Sequence, residues 1–405
     1  MQKLKTNYKV IIVGGGASGL LCAVELLSGQ NRLKGSDVLI LEANDRVGKK
    51  LVATGNGQGN VSNKNFSSQH YHGDKAFVNA FVEDANQINI QNYLSNLGIP
   101  LYTAEDGKQY PISKQANSVL DIIRLFLEKN GCIIQTSSRV TNIQCLSNQF
   151  SIQVQNQIFN AEKLVLAFGG KSAKQFGTDG TSYSLAKSLG HSVTELFPSL
   201  VQLKTSTQKI KGLKGLKEVA LVSAYSGEKF LTKAKGDILF TEYGVSGSAV
   251  FLVSSYLTDC TNPNIQIEFL PDYSLEQVEQ MLCERASFNY IDKENFLTGI
   301  INKKIGQSII KDCGSCAPKV IANKLKNFKL EVTGNLGFNY SQVTKGGVDT
   351  KEILIHTLQS KFNHNAYIVG EALNIDGDCG GYNLTFAFVT GILSAKHIKD
   401  TLRGN

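Results

Sequence analysis

The chain has 405 residues, 42% of them apolar, and a formal net charge of +8. This length exceeds one typical domain and supplies ample material for a buried core. No segment approaches the run of about 20 apolar residues that spans a bilayer, which excludes a transmembrane helix. The N-terminus enters a strand without a signal-peptide core or cleavage site, so a cytoplasmic location is expected.

The first predicted unit is a strand, a glycine-rich turn and a helix. Residues 10–13 form the apolar strand, and the turn at 14–19 (GGGASG) opens a helix predicted over 17–28. The first glycine permits a tight turn, the third lets the backbone approach a pyrophosphate, and the last allows close packing of helix on strand. The predicted pyrophosphate contacts are Gly14, Gly16, Ala17, Ser18 and Gly19.

A second buried parallel strand is predicted at residues 38–41 and ends at Glu42. An acid at this point, 23 residues beyond Gly19, is placed to accept the ribose hydroxyls of an adenine nucleotide. Glu42 and Ala43 are the predicted contacts there. Strand, helix, second strand and terminal acid together predict a dinucleotide site, and an ordinary structural turn is the alternative.

A loop rich in glycine follows at residues 48–63 (GKKLVATGNGQGNVSN). Such a loop offers many backbone N–H groups to oxyanions. Its lysines can add charge near a pyrophosphate, and its small polar side chains can hydrogen-bond a ligand. A flexible surface loop is the alternative. The predicted contacts are Lys49, Lys50, Thr54, Gly55, Asn56, Gly57 and Asn60.

Helices and short strands are predicted in the next stretch. Periodicity predicts amphipathic helices over 76–98 and 117–130, and strands over 132–170. The last of these strands ends in a small-residue turn (AFGG), which resembles the turn that returns to the cofactor in two-segment flavoproteins. The predicted contacts are Val140, beside the adenine, Ala167 and Gly169.

The C-terminal part is predicted to return to the first domain at about residue 333. Residues 366–370 (AYIVG) are predicted to form a strand, which leads into residues 376–384 (DGDCGGYNL) and then a helix. A second unit of strand, glycine and helix is what a flavin needs at its ring end and what a nicotinamide site usually lacks, so bound FAD is predicted. The predicted ring-end contacts are Gly370, Glu371, Asp378, Gly381, Tyr382, Asn383 and Leu384.

Several long segments support a family resemblance. They are GKKLVATGNGQGNVSN, FTEYGVSG (240–247), VTGNLGFNYSQVTKGGV (332–348), TLQSK (357–361) and GEALNIDGDCGGYNLTFAFVTG (370–391). Together they resemble the bacterial FAD-dependent flavoproteins often called the aminoacetone oxidase family, across nearly the whole chain. That family includes an aminoacetone oxidase, a bile-acid C=C reductase and a ribosomal-RNA dihydrouridine synthase. The resemblance implies FAD and leaves the substrate open.

The chain departs from that family at residues 55–60. Many members have GGGRCN where this sequence has GNGQGN, so Gln58 and Gly59 replace an arginine and a cysteine. Roles of those two groups are not carried over. Loss of a positive charge beside a flavin can change its redox poise or remove a contact to an anionic substrate.

The predicted fold is α/β, with a two-segment Rossmann-like FAD-binding domain, an inserted β-rich domain and a small helical domain. β-branched runs and turns indicate the β-rich insertion, and helical periodicity indicates the other. The predicted bounds are 1–195 and 333–405 for the FAD-binding domain, 196–272 with about 326–332 for the β-rich domain, and 273–325 for the helical insertion. The oligomeric state is left open.

The eight cysteines show no disulfide framework, so reduced thiols are expected. Cys313 and Cys316 form the one CxxC, which is consistent with a redox dithiol, half a zinc site or two structural thiols at a helix end. No second pair of ligands lies nearby in sequence, and no metal site is predicted. Cys379 falls in the ring-end segment, where it either approaches the flavin or fills a tight turn.

Two groups of lysines concentrate the positive charge. A basic surface attracts phosphorylated partners such as NADPH and RNA, although such a surface is usually only solvated. The predicted partners are a small-molecule substrate or ribosomal RNA, with no membrane. The lysines are Lys204, Lys209, Lys211, Lys214 and Lys217, then Lys319, Lys324, Lys326 and Lys329.

Three functions remain open from the sequence. The first is an NAD(P)H-dependent reductase of a C=C bond, which in its RNA version reduces a uridine in ribosomal RNA. The others are a flavin amine oxidase that makes peroxide, with an aminoacetone-like substrate, and a non-catalytic flavin-binding module for RNA or another partner. Only one full glycine-cradle unit is present, so NAD(P)H is expected to dock transiently. Catalysis is left unassigned, because nothing ranks the candidate proton donors, which are Tyr243, Tyr340, Tyr382 and His356.

Overall fold

The computed structural model describes residues 5–146, 149–258, 260–314 and 317–403. Its α-helices are α1 (Ala17–Leu26), α2 (Lys49–Val52), α3 (Lys75–Ile88), α4 (Ile90–Asn96), α5 (Ala116–Lys129), α6 (Tyr183–Ser188), α7 (Ser248–Ser254), α8 (Leu275–Arg285), α9 (Lys303–Cys313), α10 (Pro318–Lys326) and α11 (Tyr382–Thr401). Its strands are β1 (Asn7–Val13), β2 (Val38–Leu41), β3 (Ser62–Asn63), β4 (Tyr71–Gly73), β5 (Leu101–Thr103), β6 (Lys108–Pro111), β7 (Ile133–Gln135), β8 (Val140–Leu146), β9 (Gln149–Val154), β10 (Gln157–Leu166), β11 (Phe197–Ser199), β12 (Leu203–Thr205), β13 (Lys217–Ser226), β14 (Lys229–Phe240), β15 (Gly244–Ser246), β16 (Pro263–Phe269), β17 (Phe328–Asn335), β18 (Val343–Lys345), β19 (Ala366–Ile368) and β20 (Ile375–Gly377).

The chain divides into two compact units, residues 1–197 with 343–405 and residues 198–342. The first unit is built on a seven-stranded sheet in the order β7-β2-β1-β10-β9-β8, with β19 also paired to β10. Strands β7, β2, β1, β10 and β19 run parallel, and β9 and β8 are antiparallel additions. Residues 10–13 of β1 and all of β2 are apolar and buried, as expected for parallel strands covered on both faces. The predicted α/β, Rossmann-like fold is confirmed.

Two helices of the first unit differ from their predicted bounds. Helix α1 stops at Leu26, two residues before its predicted end. The helix predicted over 76–98 is two helices, because Asn89 has φ +49° and leaves the helical conformation. The Asn89 side chain then accepts a hydrogen bond from the backbone N–H of Asn92 at 3.1 Å and caps α4. The helix predicted over 117–130 is α5.

The second unit contains a closed barrel of six strands in the order β12-β15-β14-β13-β16-β17, together with helices α7 to α10. Apolar side chains from the strands and helices form one core. Within the predicted helical insertion over 273–325, residues 296–302 are not helical, and α9 begins at Lys303, where Asn302 caps it by accepting from Lys304 N–H at 3.1 Å. The predicted return at residue 333 differs from the division into units, because β17 continues in the barrel to Asn335.

No helix in the described part of the chain is long and apolar enough to cross a membrane.

A buried polar network around His191 lies within the first unit. The His191 ring contacts Glu352 through Nδ1 at 3.0 Å and the Ser360 hydroxyl through Nε2 at 2.8 Å. The composition resembles a hydrolase triad, but Ser360 is 0% exposed and its oxygen also accepts backbone N–H groups from Phe362 and Asn363. Ser360 therefore donates to His191 Nε2, and the neutral ring donates from Nδ1 to Glu352. This network is structural.

The network predicts acid sensitivity of the fold. Burial lowers the pKa of His191 despite the neighbouring Glu352, so between the folded and unfolded pKa values the unfolded chain binds more protons. The stability from this neutral histidine is present above the unfolded pKa of about 6.5 and is lost as pH falls through the folded value. We expect urea denaturation to give a lower free energy of unfolding at pH 5.5 than at pH 7. His191→Gln should lower stability by about 1–3 kcal/mol at pH 7 and flatten this pH dependence. Equal slopes in wild type and variant would contradict the assignment.

Candidate functional site

The carboxyl ends of four parallel strands meet at one edge of the first unit's sheet. β1 and β2 end in register at Val13 and Leu41, and β10 and β19 end in register at Leu166 and Ile368. Ligand sites of open α/β sheets lie at this edge. The structure therefore brings together the segments that the sequence predicts to share a ligand. These segments begin at Gly14, Glu42, Ala167 and Gly370.

The glycine turn after β1 packs against backbone atoms at Gly14 and Gly19 and faces open space at Gly16. Gly14 has φ +109°, and a Cβ there would overlap the carbonyl oxygen of Ala167. A Cβ on Gly19 would overlap the carbonyl oxygen of Gly14, so α1 packs tightly on the turn. Gly16 is extended (φ −82°, ψ −171°), and a Cβ there would have nothing within 4 Å. The open space in front of Gly16 fits a pyrophosphate.

The start of α1 contacts the C-terminal segment directly. Ser18 is buried, and a Cβ on Gly370 would lie 2.6 Å from its hydroxyl oxygen. Farther along, Gly391 of α11 packs against the carbonyl oxygen of Ser18, where a Cβ would overlap it. Two segments more than 350 residues apart thus form one surface, as the sequence predicts. Ala17, which begins α1, is half-buried beside them.

The acid at the end of β2 is held by the glycine turn. Glu42 is 7% exposed, and its Oε2 accepts the backbone N–H of Gly15 at 2.8 Å. Its Oε1 accepts the backbone N–H and the side-chain amide of Asn44, each at 2.7 Å. A carboxylate has about four lone-pair sites. Glu42 is therefore oriented and can still accept from a ribose hydroxyl.

We expect Glu42→Ala to weaken FAD binding by about 1–3 kcal/mol, or about 5- to 150-fold in Kd. The variant removes the acceptor predicted for the ribose and also the carboxylate that accepts the Gly15 N–H. Equilibrium titration of the FAD-free protein, followed by flavin fluorescence, measures the change. Glu42→Gln, which keeps the shape and one acceptor oxygen, should show a smaller loss. An unchanged Kd for Glu42→Ala would remove Glu42 from the site.

The other predicted contacts near Glu42 lie beside it. The backbone N–H of Ser138 donates to the carbonyl oxygen of Glu42 at 2.8 Å, which brings the start of β8, with buried Val140, to this end of the sheet. Ala43 is half-buried. Ala167 N–H donates to Val13 at 2.9 Å, and Gly169 follows in the same turn. The predicted adenosine region is therefore spatially continuous.

The two lysines of the 48–63 loop differ in their partners. Lys50 Nζ lies 2.6 Å from Glu371 Oε2, which ties the loop to the segment after β19 across 321 positions. The other Glu371 oxygen accepts the backbone N–H of Thr344 at 2.9 Å. Lys49 instead pairs with exposed Asp45 at 2.6 Å. Lys50 and Glu371 thus form an ion pair between the two predicted ligand segments, which a hydrogen bond from the Asn63 amide to the Gly380 carbonyl at 2.9 Å also joins.

The 54–60 turn is more internally bonded than the sequence suggests. Thr54 donates its hydroxyl to the Leu51 carbonyl at 2.7 Å, and the Asn60 amide donates to two backbone carbonyls at 3.3 Å. Gly55, Asn56 and Gly57 are exposed. Their backbone N–H groups, rather than the Thr54 or Asn60 donors, are the better candidates for ligand contacts.

Of the two departures from the family pattern, the structure explains the one at Gly59 and not the one at Gln58. Gln58 is exposed. Gly59 is buried with φ +79°, and a Cβ there would lie 3.0 Å from Cα of Ala116. Glycine is therefore the residue that fits this turn beside α5. Nothing in the structure explains why glutamine stands at position 58.

The ring-end segment is folded against β3 and β4. Gly381 has φ +97°, and a Cβ there would overlap the carbonyl oxygen of Ser62 in β3. The Asn383 side chain bonds the backbone of Gly377 in both directions, at 2.8 and 2.6 Å, and so holds the turn closed. Leu384 is half-buried in the first turn of α11. Neither α1 nor α11 has a capping side chain among the described residues, so both helix N-termini can face a ligand.

Sequence reasoning missed a histidine cluster at this point. β4 pairs with β20, and His70 and His72 reach opposite oxygens of Asp378, with Nδ1–Oδ2 at 3.0 Å and Nε2–Oδ1 at 3.1 Å. The Tyr382 ring stacks on His70 with centroids 4.2 Å apart. Burial, with the charges of Asp378 and Asp106, raises the pKa of Tyr382 to about 12, so its phenol stays neutral. The local signal in the sequence was two histidines one residue apart, and the structure places His70 immediately before β4 and His72 within it.

The other candidate proton donors and the cysteines singled out in the sequence have different surroundings. His356 is 67% exposed in its side chain and pairs with Asp84 at 2.9 Å. Tyr243 and Tyr340 belong to the second unit. Burial raises the pKa of the Cys379 thiol, which favours a turn-filling role over thiolate chemistry. Cys313 ends α9, whereas Cys316 lies outside the described residues; those that are described form no group of three or more metal ligands.

Comparison with known proteins agrees with this geometry. Residues 8–397 match the family model described as the HI0933-like protein Rossmann domain. A 3-dehydro-bile acid delta(4,6)-reductase of Clostridium scindens is 32% identical, over 96% of this chain and 98% of that protein. A ribosomal RNA dihydrouridine synthase of Haemophilus influenzae is 26% identical, over 96% and 98%. The crystal structure of a 3-ketosteroid delta1-dehydrogenase from Sterolibacterium denitrificans shares the fold, with a TM-score of 0.54 at 12% identity over 98% of this chain and 100% of that chain.

The residues at the sheet edge fit FAD by observations of the molecule itself. Open space lies in front of Gly16 at the N-terminus of α1, a buried acid ends β2, and the ring-end segment leads into the N-terminus of α11. These features suit a pyrophosphate, a ribose and a flavin ring, respectively. With the family match over residues 8–397, they lead to one assignment. The chain belongs to the HI0933-like family and is an FAD-dependent oxidoreductase.

Proposed function

We propose that the protein is an NAD(P)H-dependent reductase of a carbon–carbon double bond in a small molecule. The observation that carries the proposal is the 32% identity to the Clostridium scindens delta(4,6)-reductase along nearly the whole of both chains. Bound FAD would supply the hydride chemistry, because a flavin can accept a hydride from a nicotinamide and donate it to a substrate. The chain itself then has to orient the substrate, exclude water and provide one proton.

The site residues have separate tasks in this proposal. The glycine turn from Gly14 and the N-terminus of α1 hold the pyrophosphate, and Glu42 holds the adenosine ribose. Lys50 and Glu371 close the loop over the middle of the cofactor. The segment from Asp378 to Leu384 holds the ring end. Because the sequence contains one glycine-cradle unit, the nicotinamide donor docks transiently rather than in a second resident site.

A uridine in ribosomal RNA is the second candidate substrate, supported by the Haemophilus influenzae relative. The charge of the second unit favours the small molecule over RNA. Of the nine lysines predicted to form a basic surface, five pair with carboxylates, so less positive charge is available to phosphates. These pairs are Lys209 and Lys324 with Asp312, Lys214 with Glu242, Lys217 with Asp237, and Lys326 with Glu268.

Two further alternatives from the sequence are weaker. The reductase and the dihydrouridine synthase reported above favour a C=C acceptor over an amine substrate. Membership of an oxidoreductase family argues against a non-catalytic flavin module.

A two-step stopped-flow experiment tests the proposal. The FAD-loaded protein is mixed anaerobically with NADH or NADPH, and the bleached protein is then mixed with a planar enone, unmodified ribosomal RNA or air-saturated buffer. We expect fast bleaching, fast reoxidation by the enone and slow reoxidation by air. Fast reoxidation only by RNA would move the substrate to uridine. No bleaching by either nicotinamide, with fast reoxidation by air and peroxide formation after chemical reduction, would replace the reductase with an oxidase.

A further inference from the structure

The cluster around Asp378 joins three titratable side chains at the ring-end segment. β4 and β20 are antiparallel, with His72 opposite Asp376 and Tyr71 opposite Gly377. This register places His70 and His72 on either side of the Asp378 carboxylate, at 3.0 and 3.1 Å. All three side chains are partly buried, with exposures of 32%, 19% and 17% for His70, His72 and Asp378. The cluster is reached by solvent mainly at His70.

The hydrogen bonds define how the cluster holds protons. An ionised carboxylate only accepts, so His70 donates from Nδ1 and His72 donates from Nε2. Each ring can be neutral in that tautomer, and one additional proton makes either ring an imidazolium. Two imidazoles therefore share one negative charge. With one additional proton the cluster is electrically neutral, which is the least costly state for a partly buried group.

The surrounding charges favour that additional proton. Burial by itself lowers the pKa of His72, but the hydrogen bond with Asp378 and the charges of Asp376 and Asp378 outweigh burial and the nearby Lys345. The net effect raises the pKa of His72 above its ordinary value. On the other side, the neutral Tyr382 ring stacks on His70 at 4.2 Å.

The cluster is also part of the turn that is proposed to hold the flavin ring. Asp378 lies three residues before Gly381, and Tyr382 begins α11. Asn383 closes the same turn through a 3.3 Å hydrogen bond to the Asp378 carbonyl oxygen. The histidines are thus fixed to the ring-end segment by a hydrogen bond, a ring stack and a strand pair.

We propose that His70, Asp378 and His72 form a proton-holding unit that supplies the proton required when the substrate double bond is reduced. The inference rests on the proposed function. In that step the C=C π bond breaks, one carbon forms a bond with the hydride from the reduced cofactor, and the neighbouring carbon uses the π electron pair to bind a proton. That proton leaves an imidazolium of the unit, which becomes neutral and is reprotonated from water through His70. The nicotinamide donor supplies the two electrons. Asp378 is the positioning residue.

The first test reads the protons directly and needs no substrate. In the FAD-loaded protein with ¹⁵N-labelled histidine rings, NMR titration should place the pKa of His72 above about 6.5. Asp378→Asn should lower it, and Asp378→Glu, which keeps the charge, should restore it in part. The pair of exposed His356 and partly buried Asp84, with Nδ1–Oδ2 at 2.9 Å, provides the matched control. Asp84→Asn should leave the His72 titration unchanged.

The second test follows the single-turnover rate at which a planar enone reoxidises protein reduced with dithionite. The wild-type rate should fall as pH rises through the His72 pKa, because the donor loses its proton. His72→Gln should slow this step by about 100-fold or more, the usual contribution of a general acid. Asp378→Asn should move the fall in rate to lower pH. His356→Gln should leave rate and profile unchanged.

Three results would overturn the inference. One is a His72 pKa at or below its ordinary value in the loaded wild type. Another is an unaltered pH profile in His72→Gln and Asp378→Asn proteins that still bind FAD. The third is a wild type that reacts with no C=C acceptor. This last result also removes the proposed function. A raised His72 pKa measured in the same protein would then show that the function failed although the charged cluster exists.

Discussion

Gly16→Val is expected to abolish FAD retention while leaving the fold intact. The Gly16 backbone is extended (φ −82°, ψ −171°), a conformation that valine adopts without strain, and its Cβ would meet no protein atom within 4 Å. The side chain would instead fill the space assigned to the pyrophosphate. We expect Kd for FAD to rise at least about 100-fold, or about 2.8 kcal/mol. The melting temperature of the FAD-free form should stay the same.

The measurement is the flavin absorbance that remains after gel filtration, combined with thermal unfolding of the FAD-free proteins. Gly16→Ala, with a single added methyl group, should give an intermediate loss and serves as the graded control. A full flavin spectrum in Gly16→Val would show that the pyrophosphate lies elsewhere. A large drop in the melting temperature of the FAD-free form would show that the space before Gly16 is needed by the protein itself.

Gly391→Val is expected to damage both stability and FAD binding, in contrast to Gly16→Val. A Cβ at Gly391 would overlap the carbonyl oxygen of Ser18 and lie 3.1 Å from the backbone nitrogen of Cys22. Because these are backbone atoms, α1 and α11 would have to move apart. Overpacking of this kind costs about 1–3 kcal/mol or more. The shift would also displace the start of α1, so FAD should be lost.

Urea denaturation of FAD-free proteins separates this effect from cofactor loss. Lys396→Val is the matched control, since it puts the same side chain on an exposed position of α11. It should change the free energy of unfolding by no more than the roughly 0.5 kcal/mol expected from helix propensity. If Gly391→Val unfolds like Lys396→Val, the tight contact of the two helices does not contribute to stability.

The sequence by itself determined the features whose chemistry is local. A strand, a glycine turn and a helix need particular residues at adjacent positions, so Gly14, Gly16 and Gly19 could be assigned tasks without coordinates. Glu42 could be placed because it ends a short buried strand. The ring-end segment from 376 to 384 was recognisable for the same reason. The α/β fold and the FAD site follow from these local patterns.

Local patterns also misjudged some elements. One helix was expected over 76–98, but Asn89 adopts a left-handed conformation and divides it. The β-rich insertion was foreseen, whereas closure of six strands into a barrel was not, because closure depends on pairing β12 with β17 across about 130 residues. Periodicity reports which face of an element is buried and carries no information on its partner.

Only the tertiary structure decided which distant side chains act together. Lys50 meets Glu371, and His70 and His72 meet Asp378, each across more than 300 residues. Such pairs leave no spacing rule in the chain, since their geometry is set by the register of β4 with β20 and by the contact of α1 with α11. In the folded protein, the Thr54 hydroxyl and the Asn60 side-chain amide donate to backbone carbonyls of the protein itself. The cofactor is thus a property of local sequence, while the arrangement of proton-holding groups beside it is a property of the packed fold.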